Sequence, residues 1–219
     1  MATKGLLAEL AAAYTGARGV ALAFEGGGGV DAARRVSAGE PFDVVVLASD
    51  AIDKLAAAGK VDASRKVDVV RSGVAVAVAA GAARVDISTR EAVRRAVLDA
   101  ARIAYSTGPS GVALIALFER WGIADAIRER LVQAAPGVPV GSLVARGEAS
   151  LGFQQLSELI GFGGIQLLGP LPPEIQITTV FSAAPVANAS RPDAVDGLLA
   201  YLASPATEDA KRRHGMEPA

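Results

Sequence analysis

Phe42-Asp43-Val44-Val45-Val46-Leu47-Ala48-Ser49-Asp50 runs from an apolar stretch of strand length straight into a helix start. A near-continuous apolar run suits a parallel strand covered on both faces. Ser49 and Asp50 open the helix that follows, Ile52, Leu55 and Ala56 share its inner face, and Gly59 lies past its end. Upstream the same alternation holds. Leu6, Leu7, Leu10 and Ala11 mark a helix ending near Tyr14 at Gly16, Val20 to Phe24 a strand, and Val30 to Ala38 a helix closed by Gly39. Downstream, Val67 to Val70 and Val74 to Ala80 read as two strands separated by Arg71, Ser72 and Gly73. A helix opened by the reciprocal cap Ser88-x-x-Glu91 precedes the strand Ile103 to Tyr105. Helices over Val112 to Trp121, from Ala124 to about Ala134, and over Val140 to Arg146 come next. The strands Ala149 to Phe153 and Ile165 to Leu168, and an extended segment from Ile175 to Ala187, lead to two closing helices capped by Ser190 and Ser204. This grammar predicts the α/β class, with mostly parallel sheets flanked by helices.

The chain has the length for two small lobes and contains no stretch of linker composition. A division into lobes must then be made by strands that cross, Arg71 to Ala77 outward and Ile177 to Pro185 back. The expected lobes are residues 1–75 with 180–219, and residues 76–179, with a cleft between them.

Composition excludes several function classes. With 22 basic against 23 acidic residues the net charge is −1, so no basic excess attracts a nucleic-acid backbone. No cysteine is present, which removes disulfides, thiolate catalysis and Cys-ligated metals. The single histidine, His214, follows Lys211-Arg212-Arg213 at the end of the last helix, where cations suit the helix dipole. Neither a Ser-His-acid triad nor a His-based metal site is expected, and no cofactor is implied. Apolar stretches fall far short of the roughly 20 residues of a membrane span, so membrane insertion is not expected. Met1 to Leu10 does not read as a signal peptide. The expectation is a periplasmic protein if an export signal was removed, and a cytoplasmic one otherwise.

Three helix starts are rich in Gly, Ser and Thr: Ala2-Thr3-Lys4-Gly5, Gly26-Gly27-Gly28-Gly29, and Ser106-Thr107-Gly108-Pro109-Ser110-Gly111. A helix start offers unpaired N–H groups and partial positive charge, and glycine lets an anion approach the backbone. For any one loop, ordinary turn chemistry also accounts for these residues; four successive glycines exceed it. They do not form a dinucleotide fingerprint, because the third glycine is not at the required spacing. Gln154 and Gln155 follow a strand, where two amides could donate to carboxylate or oxyanion oxygens. Arg71, beside a crossing strand, could pair bidentately with a carboxylate. The candidate ligand contacts are therefore Ala2, Thr3, Gly27, Gly28, Gly29, Arg71, Thr107, Gly108, Pro109, Ser110, Gly111, Gln154 and Gln155. The ligand they suit is a small anion.

The segments Glu25 to Ala33, Phe42 to Ala48, Tyr105 to Gly111 and Gly152 to Gln155 come in the order and spacing of the molybdate-binding-protein-like, type 2 periplasmic solute-binding proteins, which the chain resembles over nearly its whole length. The resemblance implies two α/β lobes with ligand held in the cleft, closing as a hinge, and a partner in the membrane component of an ABC transporter. It also implies Ser/Thr hydroxyls and backbone N–H groups at the first two helix starts as oxyanion contacts, with a late Tyr completing the site. Here glycines stand where the second loop's serines would be, and Phe153 to Gln155 replace the segment carrying that Tyr, so organic carboxylates join oxyanions as expected ligands. The family begins with a strand before the first helix, whereas Met1 already stands at that turn. Some members of this branch resemble aconitate isomerase. That reaction moves an allylic proton and needs an acid–base group, for which Tyr105, Ser106 and Glu158 are the candidates. Binding is the favoured reading, and no catalytic residue is assigned.

Overall fold

The computed structural model describes residues 2–219. The chain divides into two compact units, Met1–Ser72 with Thr179–Ala219, and Gly73–Thr178. The first unit opens with α1 (Lys4–Arg18), whose Leu6, Leu10 and Tyr14 recur at helical spacing and are buried. It runs through Gly16 and stops about one turn later than Tyr14, at Gly19, whose N–H still bonds to the Thr15 carbonyl and whose left-handed φ of 66° turns the chain out of the helix. Residues 19–28 carry no regular structure, so the expected strand Val20 to Phe24 is not formed. A strand needs a ladder partner for its backbone groups, and no strand among the described residues pairs with this segment. Then come α2 (Gly29–Ser37), β1 (Val44–Ala48) and α3 (Ser49–Ala57).

One 13-residue strand, β2 (Val67–Ala79), replaces the two expected short ones and contributes to both units. Ladder partners on each side of Ser72 hold it continuous: Val70 and Arg71 oppose Pro218 and Glu217, and Val74 to Ala77 oppose Gln155 to Gly152. The second unit continues with α4 (Arg90–Asp99), capped by Thr89 and not by Ser88. Thr89 Oγ1 accepts the Ala92 N–H at 3.1 Å, while the Ser88 N–H donates to Asp86. Next are β3 (Ile103–Tyr105), α5 (Pro109–Arg120) and a short α6 (Ala124–Ile127). The helix expected to reach Ala134 breaks after Ile127, because Leu131–Gln133 forms β4 in parallel register with β3. Arg130 fixes the break by donating to the carbonyls of Leu98 and Ala100, each at 2.7 Å. The unit ends with α7 (Val140–Ala145), β5 (Leu151–Gln155), α8 (Leu156–Leu159) and β6 (Ile165–Pro170). Back in the first unit run β7 (Thr178–Pro185), α9 (Pro192–Leu202), α10 (Glu208–Arg213) and β8 (Glu217–Pro218). Ser190 does not cap α9; its N–H and hydroxyl both donate to Asp43, and Arg191 holds the cap position.

The α/β class holds, but the sheets are more mixed than expected. Parallel ladders join β3 to β4 and β5, the strands connected by helical crossovers. The ladders of β1 with β7, and of β2 with β5, β6 and β8, are antiparallel.

Each sheet segregates its faces by the two-residue period of a strand. In the first unit Ala183 packs with Leu6, Leu10, Val69 and Leu199, while its neighbour Ala184 packs with Val45, Leu47, Ile52 and Leu55. In the second, Val74, Val76 and Val78 join Val93, Val97, Leu114 and Phe118; Ala75 and Ala77 face Leu159 on the other side. Gly152 lies where a Cβ would come 2.5 Å from the Val144 side chain, so α7 is seated closely on β5.

Candidate functional site

In the second unit the parallel pairing of Tyr105 with Phe153 brings the carboxyl ends of β3 and β5 to one sheet edge. Ligands of open α/β sheets bind at such an edge. Here β3 feeds Ser106, Thr107 and Gly108 into α5, with Pro109 at its first position, where a missing N–H costs nothing. The loop folds tightly over the helix start. A Cβ on Gly111 would lie 1.8 Å from the Ser106 carbonyl oxygen, so this position admits only glycine. Ser106 Oγ and Ser110 Oγ are 3.2 Å apart and share a hydrogen bond. Two hydroxyls thus stand at the positive end of a 12-residue helix. Of the residues read from sequence, Thr107, Gly108, Pro109, Ser110 and Gly111 come together here, with Tyr105 and Ser106.

Gln154 and Gln155 lie in β5, as its last two residues, and not beyond its end. Their side chains therefore leave opposite faces of the sheet. Gln154 is buried and its amide is held inside the unit: Oε1 accepts the Val140 N–H at 2.8 Å, and Nε2 donates to Glu158 Oε2 at 2.8 Å. Gln155, also buried, shares the face of Phe153, which packs edge-on to Phe118 of α5. Burial pushes the Glu158 carboxyl above its ordinary value of 4.5, against the opposing hydrogen bond from Gln154. Beside it, Ser157 Oγ is buried with no hydrogen-bond partner. Sequence reasoning treated the two glutamines as equivalent and did not see this Val140–Gln154–Glu158 chain. The signal available was strand alternation continued through Phe153.

In the first unit, Ala2 and Thr3 are buried at the start of α1, and Thr3 makes no side-chain cap. Lys4 lies against the first glycine of the run: a Cβ on Gly26 would come 2.7 Å from Lys4 Cγ. Lys4 was not among the expected contacts, although it stands between two of the quoted glycine and threonine positions. None of Gly26 to Gly29 has a positive φ, and a Cβ on Gly27 or Gly28 would meet nothing within 4 Å. Neither turn geometry nor packing calls for glycine at Gly27 and Gly28. What glycine supplies there is main chain with no side chain over it at the start of α2, of which Gly28 is the N-cap. Arg35 ties the run down by pairing with Glu25 at 2.8 Å and Glu40 at 2.7 Å while lying over the Phe42 ring. Arg71 is exposed on β2, opposite Glu217 in the ladder. His214 does close α10, and it has a partner: Nε2 lies 2.8 Å from Glu9 Oε2, and the ring covers Gly5. No helix among the described residues is long and apolar enough to cross a membrane.

Residues 1–217 match the model of the bacterial extracellular solute-binding protein family. An aconitate isomerase of a Pseudomonas species is 40% identical over 98% of this chain and 84% of its own. The fold is that of the periplasmic molybdate-binding protein of Azotobacter vinelandii, with a TM-score of 0.79, 20% identity and coverage of 98% of this chain and 94% of that one. The tungstate-binding protein of Desulfovibrio alaskensis is also similar, with a TM-score of 0.68, 18% identity and coverage of 94% and 88%.

Proposed function

This chain belongs to the bacterial extracellular solute-binding proteins, and from that premise we propose that it reversibly captures a small anion. The observation that carries the proposal is the start of α5. There Gly111 lets the Ser106 carbonyl fold against the helix, and the Ser106 and Ser110 hydroxyls meet at 3.2 Å beside the first turn. Hydroxyls and N–H groups at a helix start can hold carboxylate or oxyanion oxygens without a formal cation. The glycines before α2, with Lys4 beside Gly26, are proposed as an anion-binding edge of the other unit. Export to the periplasm and delivery to the membrane component of an ABC transporter follow from the same family reading. A thermal-shift screen of oxyanions and carboxylates tests it. A ligand at 100 times its dissociation constant adds about 2.7 kcal/mol of stability, whereas a flat screen would remove the proposal.

A second reading, isomerisation of a tricarboxylate, is favoured by the relative that is an aconitate isomerase. The acid–base candidates remain Tyr105 and Ser106 at the β3 edge, and Glu158, whose raised pKa suits a proton-exchanging group. Incubation with trans-aconitate followed by NMR separates the readings. Signals of the cis isomer would establish catalysis, and an unchanged spectrum with saturable binding would leave the binding function alone.

A further inference from the structure

The second unit holds a recess at the edge of its sheet away from the start of α5. A groove of about 470 Å³ opens where β2 ends and β3 and β5 begin, between α4 and the loop that follows β2. Tyr105 and Phe153 stand at the other end of the β3–β5 ladder. Small-molecule sites span roughly 300–1,000 Å³, so the groove is of that size. Its floor is apolar, made of the buried Val78, Leu151, Ala92 and Ala96. Ala92 and Ala96 are four residues apart and share a face of α4, while Val93 and Val97 fill the core.

The rim carries both signs of charge: Arg95 and Asp99, one turn apart on α4, and Asp86 on the loop, all exposed. Asp86 is held by the Ser88 N–H at 2.9 Å. The Ser88 hydrogen bonds, and after them the Arg95 charge, keep its carboxyl below the ordinary value and so ionised. Arg95 has Glu91 one turn before it, Asp99 one turn after it and Asp86 on the same groove, yet among the described residues it closes an ion pair with none of them. Glu91 pairs with Arg90 instead, at 3.6 Å. A guanidinium and two carboxylates therefore line one apolar recess without neutralising one another.

A bare anion entering this groove would meet two carboxylates, and a bare amine would meet the guanidinium. A molecule that carries an ammonium and a carboxylate on neighbouring atoms satisfies both signs, and the apolar floor favours one with a hydrocarbon body. We propose that this groove is a second binding site, separate from the anion edge, for an α-amino acid with an apolar side chain. Arg95 donates to its carboxylate, Asp86 and Asp99 accept from its ammonium group, and its side chain lies on Val78, Leu151 and the two alanines.

The test is calorimetric titration of the full chain with L-leucine, and with isocaproate and isoamylamine, which lack the amine and the carboxylate respectively. Leucine should bind saturably, and each truncated analogue about tenfold more weakly, as the loss of a charge-assisted contact requires. Arg95→Gln, and the double variant Asp86→Asn, Asp99→Asn, should each weaken leucine by about the same factor. These side chains are exposed and Asn keeps an oxygen for Ser88, so the unliganded variants should melt with wild type. Leucine affinity unchanged in both variants would put the amino acid elsewhere on the chain and overturn the inference. So would isocaproate binding as tightly as leucine, or no binding of leucine at millimolar concentration.

Discussion

The Ser106 carbonyl oxygen and Gly111 approach so closely that a Cβ on the glycine would lie 1.8 Å from the oxygen. The contact is backbone on backbone, so no side chain can move to relieve it. It shapes the loop that presents the Ser106 and Ser110 hydroxyls. Gly111→Ala is predicted to destabilise the protein by about 2–3 kcal/mol, as overpacking of a rigid contact does. Chemical denaturation measures it, and a loss under about 0.5 kcal/mol would show that the loop tolerates displacement.

Gly27→Ala is the contrasting case. Its Cβ would meet nothing within 4 Å and its φ is not positive, so stability should stay within about 0.5 kcal/mol of wild type. Anion affinity should fall, because a methyl group would stand over the main chain. Paired melting and titration curves check both halves of this prediction.

Gln154→Ala should cost stability before it costs anything else. It would strip a partner from the buried Val140 N–H and from the Glu158 carboxyl at once. Leaving buried polar groups unsatisfied costs about 1–3 kcal/mol each. A Gln154→Ala, Gln155→Ala double variant is therefore expected to melt earlier than wild type, and only Gln155→Ala by itself can report on ligand contact. A double variant as stable as wild type would show that water or a rearranged side chain replaces the Gln154 amide.

Glu158 gives a pH prediction. Burial raises its pKa above 4.5, so ionising it is harder in the folded than in the unfolded protein. Its favourable contribution is therefore complete below the unfolded value and is lost as pH rises through the folded one. Glu158→Gln, which keeps an oxygen for the Gln154 amide, should gain on wild type as pH rises above the ordinary carboxylate range. Melting temperatures of the two proteins across that range check it. A difference that does not vary with pH would show that Glu158 is ionised at no cost.

Much of this was legible in the sequence because local pattern and tertiary structure agree there. The run Val44 to Ala48 into Ser49, and the loop Ser106 to Gly111, are where predicted because strand length, apolar content and helix-start chemistry point one way. Reading failed where pairing partners decide. Arg71-Ser72-Gly73 looks like a break, yet Pro218 and Glu217 on one side and Gln155 on the other carry β2 through it. Val20 to Phe24 looks like a strand and has no strand to pair with. Leu131 to Gln133 continues a helical pattern, but the open edge of β3 takes it as β4. At the candidate site, residue types were readable and orientation was not. One residue of register decides that Gln154 points to Val140 while Gln155 leaves by the other face.

The central claim is that the start of α5 holds a small anion, and calorimetric titration of wild type and Ser110→Ala with a panel of carboxylates and oxyanions tests it most directly. The account predicts saturable binding of at least one anion by wild type. Removing one charge-assisted hydroxyl contact, worth roughly 1.5–3 kcal/mol, should weaken it by about tenfold or more. Saturable binding that Ser110→Ala leaves unchanged, or no binding by wild type at millimolar anion, would contradict it.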